Sequence, residues 1–543
     1  MTLFDKILAA KGITPENRAV FLSPDYDTKH DPFLLPDMKA AVDRLEIALQ
    51  KQERITIYGD YDIDGLTATT LLLDAFSSFG FENVSSFIPN RFVEGYGLTI
   101  DAVEKIAAEG AQLIVTVDCG SLSHKEIARA NELGVDVIVT DHHNVADEQP
   151  PAIATVNPKR SDHSYPFIDL AGVGVAFKLV QALQTRLPGL EKGQEKWLLD
   201  LVALGTVCDV VTLVDENRTN VYWGLKVLQQ TRRPGLKALM AVAEVNPATL
   251  NARSLGFALG PRMNAAGRLE TAQYSLNLLR AEDSMEALEI AHQLDTLNKA
   301  RRSEQDKIFK QAIIQAEKFI SDPVLVVSGP DWNHGIVGIV AAKLLEKYKK
   351  PTFVLEEMGE EAKGSARSYG DYSAVDGIRA SDDIITKGGG HKLAAGVTLP
   401  TKNIDAFRKR LNALYKDKEL KDQAALLLPS ADADADILDL SEVLVDELKQ
   451  LEPFGNGNTQ PILRTAGLIV INQRKMGADD QHVKLKLQGA AGQAIEMLAF
   501  NAPQHFFVEP GEMVDVWYTL DVNEWQGRRT VEGHLLHLVN MSE

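Results

Sequence analysis

Short apolar runs alternate with longer amphipathic stretches over residues 50–215. The short runs are rich in apolar and β-branched residues and predict strands at 54–58, 83–88, 113–117, 135–140 and 202–207. The stretches between them carry apolar residues at helical spacing and predict helices at 66–79, 99–108 and 122–132. Since strands that alternate with helices form a parallel sheet covered on both faces, this region is expected to be an α/β domain.

Residues 282–320 contain neither Gly nor Pro and keep apolar residues at helical spacing. They predict one long helix, with Asn298 marking a candidate break, and a helix of this length often bridges two domains. A second α/β pattern follows at 324–385. Residues 424–439, with Pro429 and repeated Ala-Asp pairs, predict a linker.

Beyond the linker the pattern becomes all-β. Five short runs separated by turns predict a small β-barrel from 468–473, 483–487, 494–498, 513–520 and 530–539. The predicted class is therefore α/β, with a parallel-sheet domain, a long bridging helix, a second α/β domain and a C-terminal barrel. The predicted boundaries are a lead-in (1–50), the first α/β domain (51–220), a helical connector (221–320), the second α/β domain (321–425), a linker (426–440) and the barrel (441–543).

Composition narrows the class of protein. The formal net charge of −19 lowers the expectation of a nonspecific nucleic-acid binder, although binding depends on local charge. No apolar run approaches the roughly 20 residues that cross a bilayer, and the N-terminus does not resemble a signal peptide. Two cysteines without Cys-x-x-Cys spacing argue against a structural zinc site or a disulfide framework. A cytoplasmic protein without membrane attachment is expected.

Acidic and histidine clusters follow four of the predicted strands. The clusters are Asp60, Asp62 and Asp64; Asp118; Asp141, His142 and His143; and Asp209. Because ligands bind at the carboxyl ends of the strands in open α/β sheets, these side chains are expected to converge at one edge. Each cluster alone has an ordinary explanation, such as a calcium loop, a solvated turn or a helix cap. Their joint occurrence favours a site.

So many carboxylates in one crevice would repel each other or become protonated unless cations were bound. Asp oxygens with imidazole nitrogen suit Mn²⁺ or Mg²⁺, and the lack of thiolate clusters disfavours zinc. Two such ions about 3.5–4 Å apart can activate water and stabilise the leaving oxygen of a phosphodiester. The sequence thus favours a metal-dependent phosphodiesterase.

These clusters resemble the four motifs of the DHH phosphoesterase superfamily. Asp60-Tyr61-Asp62-Ile63-Asp64-Gly65 resembles the first, with Ile63 where Ala is usual, and Val117-Asp118-Cys119-Gly120 resembles the second. Asp141-His142-His143 is the motif that names the superfamily, and residues 203–211 resemble the fourth. Tyr58 stands where some relatives have His.

Other segments resemble the RecJ branch of that superfamily. They lie at 31–38, 260–268 and 332–340, at the DHHA1-type motifs 364–368 and 388–396, and at 451–458, which resembles the entry to an oligonucleotide-binding (OB) barrel. The resemblance implies DHH, DHHA1 and OB-fold domains. It also implies a 5′→3′ exonuclease of single-stranded DNA that releases 5′-mononucleotides in recombination and repair.

The resemblance implies a role for each site residue. Asp62 and Asp118 would bind one metal ion, with Asp60 as a further ligand or a neighbour of one. Asp64, Asp118, His142 and Asp209 would bind the other, with Asp118 bridging the two. His143 would face the scissile phosphate, as a ligand or as a proton-bearing electrophile. The residues implied to bind the terminal 5′-phosphate are Arg91, Ser365 and Arg367, and those implied to bind the adjacent backbone are Arg262, Asn264, Arg268 and His391.

The implied partners are single-stranded DNA, a single-strand-binding protein and a RecQ-type helicase, for a protein expected to be a monomer. Two alternatives stay open. A DHH and DHHA1 phosphodiesterase of oligonucleotides or cyclic dinucleotides usually lacks the barrel and the 261–268 segment. An inactive replication scaffold would be expected to have lost metal ligands, whereas all of them are present here.

Overall fold

The computed structural model describes residues 1–91, 95, 97–420, 424–525 and 527–541. The chain divides into two compact units: residues 1–295 with 430–543, and residues 296–429. No helix among the described residues is long and apolar enough to cross a membrane.

The first unit begins with an α/β domain. Its elements in chain order are α1 (Leu3–Ala10), α2 (Arg18–Leu22), α3 (Met38–Lys51), β1 (Ile55–Gly59), α4 (Ile63–Phe79), β2 (Val84–Phe87), α5 (Ile100–Ala108), β3 (Leu113–Val117), α6 (His124–Glu132), β4 (Asp136–Thr140), β5 (Ala154–Val156), α7 (Gly172–Gln184) and α8 (Leu199–Cys208). The sheet has the order β2-β1-β3-β4-β5, and every pairing is parallel. This confirms the predicted parallel sheet.

The strand predicted at 202–207 is wrong, because these residues belong to helix α8. All but the last two residues of this helix are buried, so its sequence is apolar on every side. Periodicity cannot distinguish such a run from a buried strand. The fifth strand is instead β5, whose three residues were too few to predict.

Five shorter helices and one long helix follow. They are α9 (Asp215–Leu228), α10 (Pro234–Val242), α11 (Ala252–Ser254), α12 (Gly260–Leu269), α13 (Gln273–Arg280) and α14 (Ser284–Lys318). The long helix α14 is continuous, so the candidate break at Asn298 is not a break. The Asn298 side chain accepts a hydrogen bond from Arg301, which also donates to Gln305, and these bonds satisfy the polar groups within the helix. The boundary between the two units falls within α14.

The second unit contains a mixed sheet. Its further elements are β6 (Leu325–Pro330), α15 (Val337–Tyr348), β7 (Thr352–Met358), β8 (Glu361–Arg367), α16 (Ala374–Arg379), β9 (Lys387–Gly390), β10 (Ala394–Pro400) and α17 (Ile404–Asp417). The strand order is β6-β7-β8-β10-β9, in which only β6 and β7 are parallel. The helix predicted at 373–385 is confined to α16. The glycines 388–390 belong to the edge strand β9.

The C-terminal part of the first unit is a closed barrel. Its elements are β11 (Ala433–Asp434), α18 (Glu442–Lys449), β12 (Leu463–Met476), β13 (His482–Gln488), β14 (Ala494–Ala499), β15 (Met513–Trp525) and β16 (Arg528–Asn540). Pairing of β12 with β15 closes the five strands β12 to β16, as the alternating pattern predicts. β11 lies in the predicted linker and pairs with β12. Apolar residues of α1, including Phe4 and Ile7, share one core with the barrel.

Candidate active site

The loop after β1 carries three of the predicted ligands. Asp60 is buried directly after the strand, and Asp62 caps helix α4. Oδ1 of Asp62 accepts hydrogen bonds from the amides of Asp64 (2.9 Å) and Gly65 (3.1 Å). A Cβ atom on Gly65 would lie 2.5 Å from the Asp60 carbonyl oxygen, so the tight return of the chain requires glycine. The loop therefore points its carboxylates towards the sheet edge.

Asp64 is held by the start of helix α7. Its carboxylate accepts the amide of Gly172 at 2.6 Å and that of Val173 at 2.8 Å, which are unpaired donors of the first helical turn. A Cβ atom on Gly205 would lie 2.9 Å from Oδ1 of Asp64. Burial and the charge of Asp62 nevertheless raise the pKa of Asp64 to about 7. The sequence reasoning missed this contact, although glycines at 172 and 174 open an apolar helix and could have indicated it.

Asp118 lies at the centre of the cluster. It follows β3 in the left-handed conformation (φ 60°), and its amide donates to the Thr140 carbonyl at 3.0 Å. Oδ1 of Asp118 lies 3.1 Å from Nε2 of His142, and a Cβ atom on Gly172 would lie 2.7 Å from the same oxygen. Burial and then the charge of Asp64 raise the pKa of Asp118 well above its ordinary value.

Asp141 is a functional residue that the candidate ligands did not include. Its Oδ1 accepts the amides of His142 (2.7 Å) and His143 (3.0 Å) and lies 2.8 Å from Nδ1 of His143, while Oδ2 accepts the amide of Ser121 at 3.0 Å. Burial alone would raise the pKa of Asp141, but the hydrogen bond and charge of His143 lower it. Asp141 therefore orients the ring of His143 and holds the backbone at His142.

The two histidines are driven to opposite protonation states. Burial, aided by the charge of His143, lowers the pKa of His142 to about 3, so its imidazole is neutral and suited to bind a metal. Burial also opposes the charge of His143, but the hydrogen bond and charge of Asp141 outweigh burial and raise the pKa of His143 to about 9.

Asp209 directly follows helix α8, at its C-terminal cap. Its Oδ2 lies 3.6 Å from Nε2 of His142. Burial, followed by the charges of Asp64 and Asp62, raises the pKa of Asp209 to about 9. The fourth cluster thus reaches the same edge as the others, although a helix rather than a strand brings it there.

The ligand atoms converge in three overlapping groups, within each of which they lie no more than 4.8 Å apart. The groups are Asp60, Asp62 and Asp118; Asp64, His142 and Asp209; and Asp118, His142 and His143. Three buried atoms in them have no hydrogen-bond partner within the described part of the chain: Oδ1 of Asp60, Oδ1 of Asp118 and Nε2 of His142. Buried polar atoms normally have a hydrogen-bond partner. The lack of one at these three atoms is consistent with their being ligands of divalent cations.

Neither cysteine belongs to these groups. The thiol of Cys119 is buried beside the Tyr58 carbonyl and that of Cys208 beside the Leu255 carbonyl, and burial raises the pKa of both. Tyr58 donates its hydroxyl to the Gly97 carbonyl at 2.8 Å and stacks on Phe87. Tyr58 thus lies in the core of the sheet.

Two groups of candidate phosphate ligands in the first unit lie beside the Asp60–Gly65 loop. The guanidinium of Arg91 lies 4.3 Å from the centroid of the Tyr61 ring. Helix α12, which carries Asn264 and Arg268 one turn apart, approaches so closely that a Cβ atom on Gly267 would lie 3.3 Å from the Tyr61 carbonyl oxygen. Arg91 and helix α12 therefore both lie beside Tyr61.

Arg262, on α12, forms hydrogen bonds with other residues of the first unit. Its Nε donates to Asp295 at 2.9 Å and its Nη1 donates to the Ala258 carbonyl at 2.8 Å, and the side chain is only 14% exposed. These bonds tie α12 to the start of α14. These bonds give Arg262 a structural role, and its contact with a backbone phosphate stays a prediction.

In the second unit, Ser365 and Arg367 lie on the same face of β8. A Cβ atom on Gly338, in the first turn of α15, would lie 3.3 Å from Nη2 of Arg367 and 3.4 Å from Oγ of Ser365. Burial lowers the pKa of Arg367, whose Nη1 donates to the Ala366 carbonyl at 2.8 Å. The start of α15, the hydroxyl of Ser365 and the guanidinium of Arg367 therefore lie close together. His391 is exposed at the turn between β9 and β10.

Family models match three parts of the chain. The DHH family N-terminal domain matches residues 54–206, the DHHA1 domain matches 321–417, and the RecJ OB domain matches 431–537.

Full-length relatives are similar as well. The chain is 36% identical to the single-stranded-DNA-specific exonuclease RecJ of Salmonella typhimurium, over 91% of this chain and 88% of that protein. It is 38% identical to RecJ of Bacillus subtilis over 97% of this chain, but it spans only 66% of that protein, just under two thirds. The crystal structure of RecJ from Thermus thermophilus in complex with Mn²⁺ superposes with a TM-score of 0.82 at 29% identity, covering 99% of this chain and 77% of that one.

Proposed function

The chain belongs to the RecJ family of single-stranded-DNA-specific exonucleases, and on that premise we propose that it is a 5′→3′ exonuclease of single-stranded DNA. It hydrolyses phosphodiesters at a site with two divalent metal ions, Mn²⁺ or Mg²⁺, and releases 5′-mononucleotides in recombination and repair. The observation that carries the proposal is the convergence of the four motifs, in which three buried ligand atoms have no hydrogen-bond partner within the described part of the chain.

The donor set fits two hard cations. Asp60, Asp62 and Asp118 would hold one ion, and Asp64, His142 and Asp209 would hold the other, with Asp118 between them because it lies 3.1 Å from His142. The raised pKa values of four of these carboxylates support this assignment, since nearby positive charge would favour their ionised forms.

When bound, two such ions supply an activated water and stabilise the leaving oxygen. The residues of the chain do the rest. His142 would bind through Nε2, and His143 would face the scissile phosphate, either as a further ligand or as a proton-bearing electrophile. Asp141 fixes the ring of His143 through Nδ1, and the amides of Gly172 and Val173 fix Asp64.

The proposed phosphate ligands occur in both units. In the first unit, Arg91 would bind the terminal 5′-phosphate, and Asn264 and Arg268 would bind the adjacent backbone, to which Arg268 is suited because its guanidinium is a planar donor. In the second unit, Ser365 and Arg367 hold the terminal 5′-phosphate and His391 an adjacent one. Arg262 supports α12 through its contact with Asp295, and it would also bind a backbone phosphate beside Asn264 and Arg268.

The proposed domains are those predicted from the sequence, with the DHH domain at 51–220, the connector at 221–320, the DHHA1 domain at 321–425 and the OB fold at 441–543. The spans of the family models support them, and the pairing of β11 supports extending the barrel domain into the linker 426–440. A single-strand-binding protein and a RecQ-type helicase as partners, a monomeric state and a cytoplasmic location rest on the family resemblance alone.

The test is an exonuclease assay with Mn²⁺ on 5′-labelled single- and double-stranded DNA. Asp62→Asn is the sharpest variant, because the amide keeps an oxygen for the bonds to Asp64 and Gly65 while the ligand charge is lost. Asp101→Asn, an exposed aspartate on α5, is the matched control. We expect label release from single strands only and its loss in Asp62→Asn. Equal release from both strand forms, or activity that survives Asp62→Asn, contradicts the proposal.

A further inference from the structure

The residue that follows Asp209 has an unfavourable backbone conformation. Val210 has φ of 62°, and its side chain is 65% exposed. The left-handed region is an outlier for a β-branched residue, so surrounding contacts must hold it there. Its own side chain, being exposed, does not provide them.

A loop of the barrel domain supplies these contacts. Nδ2 of Asn456 donates to the Val210 carbonyl at 3.0 Å, and the amide of Leu213 donates to the Asn456 carbonyl at 2.7 Å. The loop approaches closely: a Cβ atom on Gly455 would lie 2.7 Å from Cδ1 of Leu213. Asn456 thus forms hydrogen bonds with both the first and the last residue of the segment 210–213.

The loop itself is firmly anchored. Buried Arg218, on α9, donates from Nη2 to the carbonyls of Leu451 (3.1 Å) and Glu452 (2.9 Å). Asn458 is buried and donates to the carbonyls of Leu451 and Pro453, both at 2.9 Å. Asn456 therefore projects from a rigid frame, although it is itself exposed.

We propose that Asn456 is a positioning residue for Asp209. By holding Val210 in the left-handed conformation, it sets the direction in which the chain leaves α8, and hence the placement of the Asp209 carboxylate near His142 and Asp64. The 451–458 loop thereby couples the barrel domain to one of the two metal sites. This inference rests on the proposed function, in which Asp209 is a metal ligand.

The experiment is titration of the metal-free full-length chain with Mn²⁺, in which free Mn²⁺ is followed by electron paramagnetic resonance. We expect Asn456→Ala to weaken one of two binding steps about tenfold and to leave the other unchanged, because only one group of ligands contains Asp209. Adding Val210→Gly should restore that step to within about threefold of wild type, since glycine adopts positive φ without strain. Asn472→Ala, exposed on β12, is the control and should bind as wild type does.

The outcomes separate the inference from its premise. A wild-type chain that does not bind two Mn²⁺ ions overturns the proposed function and this inference together. Two normal binding steps in Asn456→Ala overturn the inference alone. So does a weakened step that Val210→Gly does not restore, because Asn456 would then act by another route.

Discussion

Nδ1 of His143 lies 2.8 Å from Oδ1 of Asp141, and this contact sets the charge of a side chain in the candidate site. Both Asp141 oxygens act only as acceptors, towards the amides of Ser121, His142 and His143 and towards the His143 ring. Asp141 thus orients the ring of His143 and holds the backbone amide of His142, without belonging to any of the converging ligand groups.

Asp141→Asn should lower exonuclease activity by about 10–100-fold, the usual effect of losing a residue that orients metal ligands. An asparagine at this position must point its NH₂ group at one of the N–H groups that now donate to Asp141. At least one hydrogen bond is then replaced by a repulsive contact between two donors. The measurement is kcat on single-stranded DNA beside Asp147→Asn, an exposed aspartate. Unchanged activity in Asp141→Asn would show that the histidines are oriented by other contacts.

Arg367→Ala should weaken binding of 5′-phosphorylated single-stranded DNA about tenfold or more, because a charge-assisted hydrogen bond contributes about 1.5–3 kcal/mol. Binding of the same strand with a 5′-hydroxyl should change little. Fluorescence anisotropy in EDTA measures both affinities without cleavage. Arg379→Ala, whose side chain is 72% exposed, is the control. Equal losses for the two strands would place the terminal phosphate elsewhere.

Arg262→Ala should lower thermal stability, by about 2 kcal/mol, because it leaves the 10%-exposed Asp295 without its closest guanidinium partner. Asp295→Ala should lower the stability less in a chain that already carries Arg262→Ala than in the wild-type chain. Melting temperatures of the two single variants and the double variant measure this coupling. Strictly additive losses would contradict the structural role and favour the original prediction of a phosphate contact.

Lys29→Met should stabilise the protein at neutral pH. Nζ of Lys29 has no hydrogen-bond partner among the described residues and lies 3.7 Å from the centroid of the Tyr26 ring and 4.7 Å from that of Phe177. Burial lowers the pKa of Lys29 well below its ordinary value. Between the folded and unfolded pKa values the unfolded chain binds the extra proton, so wild-type stability rises with pH, by at most about 1.4 kcal/mol per unit.

The advantage of Lys29→Met should therefore shrink as the pH rises towards about 10, the ordinary pKa of lysine. Melting temperatures of both proteins at neutral pH and at about one unit below that pKa test this. Lys196→Met is the control, because it removes the ammonium 4.4 Å from the same Tyr26 ring. A destabilised Lys29→Met variant would mean that attraction between the ammonium and the two rings outweighs the cost of burying the charge.

The parallel sheet could be predicted because its central strands are short, apolar and followed at once by Asp. That local order alone brings Asp60, Asp118 and His142 to one edge. Helix α8 could not be distinguished in the same way, because a run that is buried on every side carries no periodic signal. Asp209 was nevertheless expected among the other ligands. Helix α8, which was predicted as a strand, ends directly before Asp209, and Asp209 lies in one group with Asp64 and His142.

The contact between Arg262 and Asp295 could not be predicted either. The motif that contains it resembles phosphate-binding segments, yet its partner Asp295 lies 33 positions further on, in a different helix. The barrel was predicted from its alternating strands, but the packing of α1 into the same core was not. The pattern of an eight-residue amphipathic helix predicts that one of its faces is buried. It does not predict which part of the protein that face packs against.

The sequence by itself determined which ligand atoms the protein has and on which edge of the sheet they lie, because strand length and polarity are local properties. Only the tertiary structure decided how each atom is used. Asp64 is held by amides 108 and 109 positions away, whereas Oδ1 of Asp118 and Nε2 of His142 keep no hydrogen-bond partner within the described chain. Hydrogen-bond partners of buried groups come from distant segments, so no local pattern records them.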